Sequence, residues 1–219
     1  MSRPVVRALL VAVLLCAAVV APRPALSLTT QTGPTQWIAS VPRADFELAA
    51  KPAGAGKQRE SNWCWAATVQ MVLHFHGIAV TQEQVVSRIF GGLIDRPASP
   101  EMVLNALNAS AFTQSGAQAR ITATSYRFQD ASYIQDLTRA WPLIVGLKGG
   151  VPNAPGHCYV LVAVRYTEAK DGRLVPQSFF LMDPWPGNQT QVELSEPEFG
   201  RRFGFAVRVR VQRTGTPQL

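Results

Sequence analysis

The chain has 219 residues, 47% hydrophobic and 16% charged, a composition ordinary for a globular protein and long enough for one substantial core. Its formal charge of +7 includes Arg3, Arg7 and Arg23 of an N-terminal leader; without them 18 basic residues stand against 14 acidic ones, or +4. That excess is too mild and too scattered for a nucleic-acid-binding surface.

Residues 1–27 read as a secretory signal. Arg3 and Arg7 give the positive start, the apolar run from Ala8 to Ala21 (ALLVAVLLCAAVVA) is shorter than a membrane span, and Ala25-Leu26-Ser27 resembles a small-x-small cleavage site. Cys16 does not make it a lipoprotein signal, because bulky Leu15 precedes it where a small residue is wanted. An exported protein is expected, periplasmic or extracellular, with no stable membrane insertion after cleavage. Only Cys64 and Cys158 would then remain in an oxidising compartment. Residues 28–57, rich in Thr, Pro, Ala and Gly, read as an arm ahead of the domain or a short propeptide, with one short strand at 45–48 (DFEL). The folded domain is expected over residues 58–212, with a flexible tail at 213–219.

From Trp63 to Phe75 the chain is apolar all round except for Thr68, Gln70 and His74, which predicts a central helix covered on both flanks, capped by Ser61 or Asn62 and stopped near Gly77. Thr81-Gln82-Glu83-Gln84 is a capping-box pattern for a second helix that ends at Gly91-Gly92; Ser99-Pro100 opens a third through Leu107. A fourth is expected from about Asp130 to Trp141, before Pro142. The period then changes. Leu143–Leu147, Cys158–Tyr166, Ser178–Met182 and Phe203–Val211 read as strands separated by Gly/Pro turns. Helices first and strands afterwards predict an α+β fold with a mostly antiparallel sheet. In the last strand arginines alternate with valines, as in a half-buried strand with a solvated face.

Cys64, in the first turn of its helix, lies near unpaired N–H groups and the positive end of the dipole, which favours thiolate. A nucleophile needs a base, and a base needs an orienting group. His74 and His76 are poor candidates: they sit at the far end of the same helix, roughly 15 Å along its axis from Cys64, and on different faces, as core-edge or surface residues and not as metal ligands. His157 follows the turn GGVPNAPG and opens a long apolar strand; Asp183 ends another, just before Pro184. Cys64, His157 and Asp183 would form a triad.

At these residues the chain resembles the papain-like cysteine peptidases, and within them the short bacterial secreted and effector branch whose nucleophile is followed by Trp-Ala-Ala. Gln58 lies six residues before Cys64, where that fold has its oxyanion glutamine; Cys64-Trp65-Ala66 matches the helix start; Gly156-His157 begins the second lobe's strand; and Asp183-Pro184-Trp185 stands in place of Asn-Ser-Trp. The resemblance covers about residues 58–190. Aspartate replaces the usual asparagine, and Ser61, Asn62 and Trp63 replace the papain residues before the nucleophile. The resemblance implies two lobes, an N-terminal helical lobe carrying the nucleophile helix and a C-terminal antiparallel sheet lobe. It also implies hydrolysis of peptide bonds in a protein or peptide substrate, without metal or organic cofactor. The oligomeric state is open, with a monomer expected. Cys64 would attack, His157 would hold the proton and pass it to the leaving amine, Asp183 would fix the ring, and Gln58 with the Cys64 N–H would bind the oxyanion.

Other readings stand beside these. The same triad could cleave cell-wall amides or transfer acyl groups, and a silent binding module could keep the fold. A Cys64–Cys158 disulfide would suit an exported chain, but if His157 faces Cys64, strand alternation sends Cys158 to the opposite side of the sheet, as a buried small hydrophobe. Gln58 could be a loop residue and Asp183 a turn former. Trp63, Trp65 and Trp185 read as core or lid residues.

Overall fold

The computed structural model describes residues 28–42, 44, 46, 56–108, 110–112, 118–128, 130–151 and 156–214. The leader, most of residues 43–55 and the last five residues lie outside these. Among the described residues no helix is long and apolar enough to cross a membrane.

Helix α1 (Cys64–Phe75) is buried without a break from Trp65 to Leu73, as its all-round apolar sequence requires. Its two interior polar residues are satisfied: the Thr68 hydroxyl donates to Trp65 O, and Gln70 donates to Val80 O while accepting from Gln82. Among the described residues no side chain caps α1; Trp63 takes the N-cap position in place of the expected Ser61 or Asn62, and Asn62 bonds Asp95 through both its backbone N–H and its side-chain amide. Helix α2 (Gln82–Phe90) carries the full Thr81/Gln84 capping box and ends on Gly91 at φ 73°. Helix α3 (Pro100–Leu107) starts at Ser99, whose hydroxyl accepts from Met102 N. Both pack beside α1.

Among the described residues the second lobe is built on nine strands, antiparallel throughout, whose axis is β6 (His157–Glu168). One side of β6 pairs first with β5 (Leu143–Leu147) and then with β2 (Gln36–Ser40); the other side pairs with β7 (Leu174–Met182). Beyond β5 come β9 (Phe203–Thr214), β4 (Gln118–Tyr126) and β3 (Ser110–Phe112), β8 (Gln191–Ser195) flanks β7, and β1 (Leu28–Gly33) flanks β2. Strand β5 is buried at all five positions, which is why LIVGL shows no alternation. Helix α1 crosses β5 and β6, so the helix that begins at Cys64 lies against the strand that begins at His157.

Several expectations need correction. Of the strand expected at 45–48, three residues lie outside the described ones, but Phe46 is in a helical turn, its amide bonded to Pro42 O at 2.9 Å and its ring packed on Phe75. Residues 28–40, read as part of an arm, form the β1–β2 hairpin of the sheet. Helix α4 (Ser132–Thr138) is shorter than 130–141, because Asp136 O collects the amides of Arg139 and Trp141 and Ala140 turns left-handed at φ 58°. Helix α5 (Glu196–Arg202) was not foreseen. Nor are the arginines of β9 all solvated: Arg208 is mostly buried, ion-paired with Asp136 of α4 and lying over the Tyr126 ring.

Candidate active site

The tryptophans on either side of Cys64 explain how the helix start is held. Trp63 and Trp65 are buried, and their indole N–H groups donate to Ile94 O and Arg96 O at 3.0 and 3.1 Å. They tie the loop between α2 and α3 across the mouth of α1, where Pro97 and Ala98 form one wall of a cleft of about 340 Å³. Leu147, Gly204 and Phe205 line it from the sheet, and Cys64, His157 and Cys158 open onto it. Gly146 lets the Phe205 ring lie against β5: a Cβ there would stand 2.0 Å from that ring.

Three of the four predicted residues come together. His157, at the first position of β6, lines the same cleft as Cys64 and draws its sulfur toward the thiolate, and its Nε2 lies 2.8 Å from Asp183 Oδ1. Asp183 follows the last residue of β7 and is buried. Its Oδ1 also accepts the Trp185 amide and its Oδ2 accepts Asn188 Nδ2, each at 2.8 Å. The carboxylate is held below its usual range: burial pushes it up, and the bonds from His157, Asn188 and Trp185 outweigh that. His157 rises to about 9, since Asp183 and the Cys64 sulfur together overcome the burial that would lower it. The Tyr159 and Trp185 rings stand edge-on to the imidazole, with Trp185 at the surface.

Cys64 is pulled down to about 5, first by a hydrogen bond from the Cys158 thiol and then, against burial, by His157. The alternation argument for Cys158 therefore fails. It holds inside a ladder, whereas His157 is the end residue of β6 and pairs with the last residue of β5, beside a register slip at Gly146/Leu147. Cys64, His157 and Cys158 all line the one cleft. Both cysteines are free thiols, so the disulfide alternative is not what the structure holds. The Cys158 thiol is pushed well above its ordinary value by the Cys64 sulfur and by burial.

Gln58 is buried beside the site, its Nε2 donating to Glu60 O and Ser61 O at 2.9 and 3.0 Å while its Oε1 finds no hydrogen-bond partner among the described residues. Two contacts bring it to the Asp183 turn. Gln58 N donates to Pro184 O, and Lys57 Nζ donates to the carbonyls of Asp183, Trp185 and Asn188. Sequence reasoning missed Lys57, Asn188 and the Cys158 contact; the turn PWPGNQT was the one local sign that a side chain would fold back on Asp183. His74 lies away from this cluster, bonded to Val80, and no group of three or more metal-ligating side chains occurs among the described residues.

The family described as "Peptidase_C39 like family" matches residues 46–203. No curated protein matches significantly. Among solved structures, one described as a double glycine motif protease from an AMS/PCAT transporter in complex with the leader peptide matches at 21% identity and a TM-score of 0.43, covering 72% of this chain and 89% of that one.

Proposed function

This chain belongs to the Peptidase_C39-like family and is a cysteine endopeptidase of papain-like α+β fold, and from that premise we propose that it cuts peptide bonds with Cys64 as nucleophile, His157 as acid and base, and Asp183 as the group that orients the ring. The carrying observation is that Cys64 and His157 line one cleft, with the His157 ring bonded to the buried Asp183 carboxylate. A sulfur with its proton already on the imidazole attacks a carbonyl directly. The imidazolium then gives that proton to the leaving amine, and the neutral ring takes one from the water that releases the acyl group. Asp183, bonded to Nε2, leaves Nδ1 as the ring nitrogen to exchange a proton with the sulfur.

For the oxyanion, the uncapped first turn of α1 supplies the Cys64 N–H, and Gln58 supplies a side-chain N–H by exchanging one of its two carbonyl partners for the substrate. Removing such a donor typically costs about 10²–10³ in rate. We further propose export after removal of the leader, and assignment to the branch with Cys-Trp-Ala-Ala at the helix start, on the strength of residues 1–27 and 64–67.

The test is digestion of a proteome-derived peptide library with the purified chain, together with iodoacetamide labelling at mild pH. Cleavage that disappears in Cys64→Ala and in His157→Ala is expected, with selective labelling of Cys64. A folded chain that cuts nothing and whose Cys64 reacts only after denaturation would overturn the reading.

A further inference from the structure

Cys158 has no task in this mechanism, yet its thiol hydrogen-bonds the nucleophile and opens on the same cleft. The two sulfurs differ in what they can meet. Cys64 is partly exposed and poised as a thiolate, the form that hydroperoxides oxidise, whereas Cys158 is buried on β6 and held as a thiol. No other cysteine follows the leader. We propose that the pair is an oxidative modification site, in which a hydroperoxide turns the nucleophile into a sulfenic acid and Cys158 resolves it as a reversible Cys64–Cys158 disulfide. The inference rests on Cys64 being the nucleophile of the reading above.

The electrons balance in two steps. The Cys64 thiolate attacks the terminal peroxide oxygen, the O–O bond breaks, and the departing alkoxide or hydroxide takes the His157 proton, leaving Cys64 as a sulfenic acid. Oxidation also removes the sulfur anion that was chief among the causes keeping Cys158 protonated. Cys158 then attacks the sulfenic sulfur: the S–S bond forms, the S–O bond breaks, and hydroxide leaves with the Cys158 proton as water. Two thiols have given up two electrons and the peroxide is reduced. With its nucleophile tied up the enzyme is off, and a dithiol restores it.

Mass mapping of the full chain after hydrogen peroxide treatment tests this without any peptidase assay. The expected product has lost two hydrogens, yields the Cys64 and Cys158 peptides as one linked species, and regains both free thiols with dithiothreitol. Cys158→Ser is expected to send Cys64 on to the sulfinic acid, with two added oxygens that dithiothreitol does not remove. If the unmodified chain itself goes to the sulfinic acid without a linked species, or the serine variant is protected equally, the inference falls. An active peptidase that over-oxidises sinks this inference alone, whereas a chain that cuts nothing sinks the peptidase reading and the off-switch with it, even where the linked species forms.

Discussion

Between Cys64 and His157 the proton rests on the ring. The sulfur is drawn down to about 5 and the imidazole up to about 9, so the ion pair is the main species between those values. Below about 5 the sulfur takes a proton and stops attacking; above about 9 the ring loses the proton it must deliver. Peptide cleavage is therefore expected to follow a bell in kcat/KM against pH with a broad plateau, its two limbs belonging to the pair and not to either residue. A rate of Cys64 alkylation that climbs through a single inflection near an ordinary thiol value of about 8.5 would show that no ion pair forms. Cys64, His157 and Asp183 were legible in the sequence because each sits at a break: a helix start, a strand start, a strand end before proline. Lys57, Asn188 and the Cys158 contact were not, since they depend on how the turn after β7 folds back onto the segment before α1. Beyond the turn-forming run PWPGNQT, nothing local in sequence encodes that closure.

At the scale of elements, the helices were read best because their ends carry their own chemistry. The Thr81/Gln84 box, Ser99 ahead of Pro100 and the left-handed Gly91 fix boundaries by local hydrogen bonds. Strands β5, β6, β7 and β9 were read from apolar runs, while β4 was missed. Its inward positions include Ala119 and Ala123, whose small side chains make a faint alternation among threonines. Strand β5 carries a further constraint in Gly146, which faces Cys158 in one neighbour and Phe205 in the other. Gly146→Ala is expected to force the Phe205 ring out of place, costing about 2 kcal/mol in urea denaturation and raising KM as that wall of the cleft shifts. Phe205→Ala should remove most of the added cost, so the double variant is more stable than the sum of the singles implies. Simple additivity would mean that the glycine serves something other than this close approach.

For the molecule as a whole, the question is what residues 28–40 are for. Their polar, turn-rich sequence, TTQTGPTQWIAS, gives little sign of a strand, because β1 lies outside β2 with its described side chains largely exposed. Strand β2 is different. It pairs with residues 163–167 of β6, continuing the edge that β5 occupies over residues 157–161, and places Ala39 in the core with Val41 following it. The Val41 amide continues the ladder to Val162 O. Helix α4 packs against this hairpin, and its Asp136 is ion-paired to Arg208 of β9, so the hairpin is joined through α4 to the far strands of the sheet. A detachable inhibitor would be released with a gain of activity and little loss of stability; a strand of the sheet cannot be. Truncation of residues 28–41 is therefore expected to cost at least about 3 kcal/mol, from the burial of Val41, Ala39 and part of Trp37 together with the lost ladder bonds. The His157 end of β6, still paired with β5, should loosen less than residues 163–167, which hydrogen exchange resolves amide by amide. A truncated chain that is as stable as the parent and more active would assign residues 28–41 to a propeptide instead.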